Sequence, residues 1–222
     1  MSQRKYNFVP GEFYHIYNRG TDKRTIFLDV TDYQRFQVLL YLVNSTQNIN
    51  IRDLLKTKKN LYEITLEGEP PVAIGAYCLM PNHFHLLLTP LVDEGISLFM
   101  QKLATSYSMY FNKKYERTGS LFQGKFRSEL ATDDRYLKYL FSYIHLNPVK
   151  LIQSDWKERG ITDCNKTQRY LEQYDYSSYL EITGKVRPES MILDKHLFPV
   201  YFKNIEVAME EVKEWLSFKT QP

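Results

Sequence analysis

The chain has 222 residues, of which 43% are hydrophobic and 25% charged, and this balance excludes a largely disordered protein. Its formal net charge of +3 does not by itself indicate a partner. No apolar run approaches the ~20 residues of a membrane span, and the first residues lack the apolar stretch of a signal peptide. Two distant cysteines, Cys78 and Cys164, fit no metal or redox spacing. We therefore expect a cytoplasmic protein of one domain, or of one domain with an appendage.

The first part of the chain predicts strands and one helix. EFYHIYNRG, residues 12 to 20, alternates and ends in a turn signal, which indicates a strand. A helix is predicted over TDYQRFQVLLYLVNST, with Thr31 or Asp32 as its cap. Residues 46–70 are polar and predict a loop or insertion with a short strand at LYEITL. PVAIGAYCLM and NHFHLLLT then predict two strands joined by the turn at residues 80–82.

The clearest helix signal covers residues 95–115, where apolar side chains form one stripe. GSLFQGKFRSELAT predicts a further strand, and RYLKYLFSYIHLNPVKL predicts a helix that Asp133 or Asp134 caps. Because Pro148 disfavours helical geometry at the preceding residue, this helix should end near Asn147.

The signals weaken beyond residue 152. Residues 153–170 predict a loop, YDYSSYLEITG a short element, and residues 203–218 a closing helix. The order of elements predicts an α+β domain, in which an antiparallel sheet carries helices on one face.

Two histidines interrupt an apolar run in MPNHFHLLLTP, residues 80–90. Side chains alternate along a strand, so His83 and His85 point the same way, ~6–7 Å apart, while Phe84 points to the core. Two imidazoles at this spacing can bind one metal ion. The alternative is a pair of satisfied histidines on a solvated face, and a metal site needs a third ligand.

The helix that ends near Asn147 supplies candidate partners for these histidines. Tyr143 lies on the flank of its apolar stripe, Asn147 shares that face four residues on, and His145 is rotated ~200° from Tyr143. A metal beside Tyr143 would therefore recruit Asn147 rather than His145. Taken alone, the position of Tyr143 favours an ordinary tyrosine at the edge of the core over a catalytic one.

The charge distribution indicates one cationic face. Residues 101–128 are basic and the segment 205–215 is acidic. Nucleic acid is a candidate partner for such a face, and many of the 18 tyrosines lie among basic residues, a mixture that suits single-stranded nucleic acid.

These pieces together resemble the single-tyrosine HUH transposases, in particular the branch associated with repetitive extragenic palindromes (REP). The resemblance is carried, in order, by HIYNRG, LMPNHFH, RTGSLFQGKFRS, SYIHLNPVK and YDYSSYLEITG. It implies a ferredoxin- or RRM-like HUH endonuclease core over residues 1–152, with the polar insertion at 46–70, and a mainly helical C-terminal extension over 153–222.

The resemblance also implies roles for individual residues. Tyr143 matches the nucleophile that forms a 5′-phosphotyrosine link to DNA. His83, His85 and Asn147 match the ligands of a divalent metal, Mg²⁺ or Mn²⁺. The expected partner is single-stranded or hairpin DNA, and the sequence does not decide between a monomer and a homodimer. The candidate DNA-binding residues are Arg19, Lys102, Lys113, Lys114, Arg117, Lys125 and Arg127.

Two other functions are compatible with the same residues. One is a transposase-derived protein that binds structured DNA or RNA without cutting it. The other is a hydrolytic metal nuclease, in which the metal activates water and Tyr143 only packs. Tyr107, Tyr110 and Tyr115 are rival nucleophiles, but their helix lacks the asparagine and the NPV end.

Overall fold

The structure is a computed structural model that describes residues 7–47, 50–54, 56, 60–198, 201 and 207–210. Four strands form one antiparallel sheet: β1 (Tyr14–Arg19), β2 (Val72–Met80), β3 (His83–Pro90) and β4 (Arg127–Leu130). Their spatial order is β2-β3-β1-β4. With helices α1 (Val30–Leu42) and α3 (Gly95–Lys114) between strands, this is the βαββαβ arrangement of ferredoxin-like folds. The predicted α+β class is therefore confirmed.

Helices cover both faces of this sheet. Helices α1 and α3 pack on the face that carries Phe84, Leu86 and Leu88. Helix α4 (Asp134–Leu146) packs on the opposite face, against Cys78 and Leu87. The prediction of helices on one face alone is thus wrong. Every residue of β2 is buried, and its uninterrupted apolar run is the pattern of a strand that is covered on both sides.

Several predicted boundaries also change. Asp29, not Thr31 or Asp32, caps α1, through a reciprocal pair of bonds with Asp32 three residues on. The short strand predicted at LYEITL is a 3-10 turn over Leu61–Glu63, which Asn60 caps. The polar insertion also contains a short helix, α2 (Ile51–Leu54).

The C-terminal extension is mainly helical, as predicted. It contains α5 (Trp156–Arg159), α6 (Cys164–Glu172) and α7 (Tyr179–Ile182), so the loop predicted over 153–170 is wrong. Helix α6 buries only Thr167 and Leu171, which leaves little hydrophobic periodicity, but Asp163 caps it by accepting from the Lys166 amide at 2.9 Å.

Residues 207–210 are helical, and the rest of the helix predicted over 203–218 lies outside the described residues. The division of the chain after residue 152 stays a prediction. Both cysteines are free thiols, Cys78 buried and Cys164 partly exposed. None of the described helices combines the length and the apolarity that a membrane crossing requires.

A buried carboxylate joins α1 to α3. Asp32 is fully buried and accepts hydrogen bonds from Lys114 Nζ at 2.7 Å, Tyr115 Oη at 2.7 Å and Tyr110 Oη at 2.8 Å. Burial alone would raise the pKa of Asp32, but the bonds from Lys114 and Tyr115 outweigh it and hold that pKa below its ordinary value. Lys114 also pairs with Asp29 at 2.7 Å.

We predict that Lys114→Met destabilises the fold by about 1–3 kcal/mol at pH 7, because it leaves the Asp32 carboxylate buried with fewer donors. The matched control is Lys113→Met, which makes the same change at the exposed neighbouring lysine. Since the folded-state pKa of Asp32 is lowered, the contribution of its ion pair is complete above the unfolded pKa of about 3.9 and is lost as the pH falls below it. Urea unfolding at pH 7 and at pH 3 measures both effects. Equal stability of the two variants at pH 7 would contradict the assignment.

Candidate active site

Three histidines share one face of the sheet near the β2–β3 turn. In the antiparallel register His85 lies opposite Tyr17 and His83 lies opposite Arg19, so His15 of β1 points to the same side. The ring centroids of His83 and His85 are 5.0 Å apart, as are those of His15 and His85. The alternation of β3 thus places both predicted histidines together.

The turn before β3 fixes the orientation of His83. The Asn82 side chain donates from Nδ2 to the Lys23 carbonyl at 3.1 Å, and its Oδ1 lies 2.6 Å from His83 Nδ1. The carbonyl of Pro81 accepts from the Ile26 amide at 2.8 Å, which ties the turn to the loop after β1. Because Asn82 Oδ1 can only accept, His83 Nδ1 carries its hydrogen, and Nε2 keeps a free lone pair.

His85 is buried, with 6% of its surface exposed. Its Nδ1 lies 2.8 Å from His15 Nε2. Its other nitrogen, Nε2, is also buried and has no hydrogen-bond partner among the described residues. A buried polar atom without a partner is costly and rare, so it calls for a ligand or a functional explanation.

Helix α4 brings Tyr143 and Asn147 to these histidines. The Tyr143 ring lies 5.5 Å from the His85 ring and 6.1 Å from the His15 ring, between centroids. Asn147 caps the end of α4, where Pro148 begins a 3-10 turn, and it is 3% exposed. The regular helix ends at Leu146, close to the predicted end near Asn147, but Asn147 itself keeps helical dihedral angles, with φ −56° and ψ −38°.

His145 faces the other way, as its rotation on the helix predicts. Its Nε2 lies 2.7 Å from Ser178 Oγ, and its Nδ1 lies 2.7 Å from the Phe141 carbonyl, which accepts. It is fully buried in the packing between α4 and the C-terminal extension. The structure therefore brings together Tyr143, Asn147, His83 and His85, and leaves His145 out.

Burial keeps the histidines neutral. It lowers the pKa of His83 to about 4, with a smaller contribution from the charge of Lys150, while a hydrogen bond with Asn147 acts in the opposite direction. Burial likewise lowers the pKa of His15 to about 4, and it brings the pKa of His85 well below its ordinary value. At neutral pH all three rings are uncharged, which is the form of imidazole that binds metals.

The phenol of Tyr143 is held protonated at neutral pH. Burial raises its pKa above the ordinary value of 10.0, and this outweighs the hydrogen bond with Asn147 and the charge of Lys150, which lower it. Lys157 Nζ lies 3.9 Å from the centroid of the Tyr143 ring, a cation–π contact, and the ring of Tyr139 stacks on it at 5.6 Å. These contacts restrict the ring to one orientation.

A basic cleft of about 760 Å³ opens beside His83. Four cationic side chains line it: Arg19, Lys23, Arg127 and Lys150. No acidic residue of the described chain is among its lining residues. A concave surface with this charge suits the phosphates of a nucleic acid. Two of the predicted DNA-binding residues, Arg19 and Arg127, therefore lie next to the predicted metal ligands.

The other predicted basic residues do not line this cleft. Lys102 Nζ donates to the carbonyls of Ser45 at 2.6 Å and Gln47 at 2.7 Å, and Lys114 is held by Asp29 and Asp32. Lys113, Arg117 and Lys125 also lie outside it, and their DNA contacts stay predictions.

Sequence reasoning missed three residues of this site: His15, Lys150 and Lys157. HIYNRG places His15 on the same strand face as Tyr17 and Arg19, a signal that was available from strand alternation. Lys150 follows directly after the NPV segment. Lys157 has no comparable signal, because it comes from a stretch with little periodicity.

Comparisons with known proteins find similar transposases. The family model described as "Transposase IS200 like" matches residues 51–147. A protein of Haemophilus influenzae, provisionally named a REP-associated tyrosine transposase, is 28% identical over 151 residues, which are 61% of this chain and 85% of the relative. The chain is thus similar to IS200-like transposases and to a REP-associated tyrosine transposase.

A solved structure shares the fold. It is a REP-associated tyrosine transposase bound to a REP hairpin, and it matches with a TM-score of 0.52 at 16% identity, over 91% of each chain. At 16% identity the match supports a shared fold and nothing about individual side chains.

Proposed function

We propose that this protein is a metal-dependent transposase that nicks and rejoins single-stranded DNA at sites beside hairpins. The observation that carries the proposal is the convergence of Tyr143, Asn147, His83 and His85 at one place, next to a basic cleft. A nucleophile, a set of neutral ligands and a phosphate-binding surface are what phosphodiester transesterification requires.

Hairpin DNA is the proposed partner. The structural relative is bound to a REP hairpin, and the relation of the two chains supports the same class of ligand here. The cleft beside His83 would hold the phosphates near the cut, through Arg19, Arg127, Lys23 and Lys150. Phosphate contacts position a strand without reading its sequence, so the target sequence depends on other contacts.

The proposed metal ligands fit a divalent ion. His85 Nε2 is buried and has no hydrogen-bond partner among the described residues. Because His83 Nδ1 donates its hydrogen to Asn82, His83 Nε2 has a lone pair available for a metal. Asn147 would supply an amide oxygen. This oxygen would be the third donor beside the two imidazoles, and hydrogen bonds connect Asn147 to both His83 and Tyr143. Mn²⁺ accepts such mixed nitrogen and oxygen ligands, and Mg²⁺ is the alternative. When bound, the ion would neutralise charge on the phosphate oxygens.

Tyr143 carries the covalent step. Its Oη forms a bond to phosphorus, the bond from phosphorus to the 3′ oxygen breaks, and that oxygen leaves as a hydroxyl while the phenol loses its proton. One phosphate ester replaces another, so attack by a 3′ hydroxyl can reverse the step and rejoin DNA. Lys157 and Tyr139 hold the ring in place for attack.

We further propose that residues 1–152 form the catalytic domain and 153–222 an extension. The extension is not remote from the chemistry, since Lys157 contacts the Tyr143 ring. The segment just before α7 also pairs with the sheet, where the Ser178 amide donates to the Tyr77 carbonyl at 2.9 Å.

We predict that Tyr143→Phe abolishes formation of a covalent protein–DNA adduct, because the variant lacks the attacking oxygen. The assay mixes purified protein with end-labelled single-stranded hairpin DNA and Mn²⁺, and separates the products on a denaturing gel. Tyr139→Phe is the matched control, since it removes a hydroxyl from the neighbouring stacked ring of the same helix. It should retain the adduct.

The other outcomes separate the competing functions. A normal adduct in Tyr143→Phe would refute the assignment of the nucleophile. Cut DNA without an adduct, in a time course that excludes its rapid turnover, would favour a hydrolytic nuclease. A native-gel shift with hairpin DNA and no cutting under either metal would favour a binding protein.

We predict that Arg127→Ala weakens binding of single-stranded DNA and lowers the slope of log K against log salt by about 1, because one phosphate contact is lost. Fluorescence anisotropy over a salt series measures both quantities. Lys56→Ala is the control, as it removes an exposed cation outside the cleft. Equal losses in the two variants would show that the cleft does not hold the strand.

A further inference from the structure

His15 is the residue of the candidate site for which the proposed chemistry has no role. It belongs to β1, is 4% exposed, and stacks on His85 with ring centroids 5.0 Å apart. Its Nε2 lies 2.8 Å from His85 Nδ1. A buried polar ring that touches a proposed ligand, and not the substrate cleft, is placed to act through that ligand.

The short distance between the two rings restricts where their hydrogens lie. Two imidazole nitrogens 2.8 Å apart share one hydrogen, so one donates and the other accepts. If His15 Nε2 donates, His85 Nδ1 is the acceptor, and the hydrogen of His85 must sit on its Nε2. That nitrogen then has no lone pair for a metal. If His85 Nδ1 donates, its Nε2 is free to bind.

We propose that His15 is a positioning residue, which accepts the Nδ1 hydrogen of His85 and so presents the His85 Nε2 lone pair to a divalent metal. This inference rests on the proposed function, which makes His85 a ligand. Metal-bound histidines commonly donate their second ring nitrogen to an acceptor, which fixes tautomer and orientation. Here the acceptor is a second imidazole from the neighbouring strand.

In both proposed histidine ligands Nδ1 then donates its hydrogen to a neighbouring acceptor, and only the acceptor differs. His83 Nδ1 is held by Asn82 Oδ1 at 2.6 Å, and His85 Nδ1 by His15 Nε2. The difference follows from position: His83 begins β3 beside a turn that supplies an amide, while His85 lies inside the sheet, where the neighbouring strand β1 supplies the imidazole of His15. His15 and His85 are diagonal neighbours across β1 and β3, and long side chains can meet at that spacing.

Mn²⁺ titration of the full-length, metal-free protein by calorimetry tests the proposal. His15→Leu removes the acceptor and should weaken Mn²⁺ binding by about 10–100-fold. His15→Gln carries an amide oxygen near the position of Nε2 and should recover most of the loss. His15→Asn places its amide at the position of Nδ1 and should not. Thermal unfolding without metal verifies that each variant is folded, and if His15→Leu fails to fold, the comparison of Gln with Asn decides.

A second readout reports the tautomer directly. Long-range ¹⁵N–¹H spectra of the Mg²⁺-loaded protein should place the His85 hydrogen on Nδ1 in the wild type and in His15→Gln. A hydrogen on His85 Nε2 in the wild type would overturn the proposal, as would unchanged Mn²⁺ affinity in His15→Leu or equal affinities of the Gln and Asn variants.

His85→Ala separates this inference from the function on which it rests. If the wild type binds Mn²⁺ and His85→Ala does not, His85 is a ligand, and the His15 variants then test His15 alone. If His85→Ala binds as tightly as the wild type, or the wild type does not bind, the proposed ligand set fails and the role of His15 falls with it.

Discussion

Burial of the central sheet on both faces is the constraint on which the site depends. Strand β3 lies between β1 and β2, with α1 and α3 on one face and α4 on the other. Alternate residues of β3 therefore enter two different layers. Phe84 is fully buried in one layer, and His85 is buried in the other. Burying a polar ring is costly unless its nitrogens have partners. His85 has His15 on its Nδ1, while His85 Nε2 and His15 Nδ1 have no hydrogen-bond partner in the part of the chain that the structure describes.

The same constraint explains where the site lies along the sheet. The apolar residues of α4 cover the sheet as far as Leu146, and Val149 of the following 3-10 turn, Asn147–Leu151, extends this layer. His83, which is partly exposed, lies at the rim of this layer, beside the basic cleft. Tyr143 lies on the last turn of α4 and Asn147 directly follows this helix, so both lie near this rim. A DNA strand can reach this position without entering the core.

Much of this arrangement could be predicted from local patterns. The strand alternation placed His83 and His85 on one face, and the helical angle placed Asn147, not His145, beside Tyr143; the structure has both. These inferences concern residues within one element, where geometry per residue is fixed. The loop prediction for 153–170 was wrong because α6 buries only two side chains, which is too few for a periodic signal.

Contacts between elements were harder to predict. The helical layer on the second sheet face was missed, although the unbroken apolar run of β2 was its signal. The contact of Lys157 with the Tyr143 ring joins two segments whose relative placement depends on packing, and no spacing in the sequence encodes it. The basic residues could not be sorted from the sequence either, because Lys114 and Arg127 lie in the same basic segment. Only the fold shows that Lys114 pairs with the buried Asp32, whereas Arg127 lines the cleft.

The charge of the site predicts that the binding of metal and the binding of DNA are coupled. The metal ligands proposed here are two neutral imidazoles and an amide, and the nearby ionic groups include Lys150 and Lys157, which are positive. A divalent cation bound to such a set would keep its full charge, and the lysines would oppose its binding. The phosphates of the proposed DNA strand would supply negative charge, so metal and DNA should each increase the affinity of the protein for the other, by the same factor. Tyr143→Phe should leave the hairpin uncut. Mn²⁺ titrations of this variant, with and without the hairpin, measure this factor. A value of one would mean that the ion and the phosphates do not meet, and would place the DNA elsewhere on the protein.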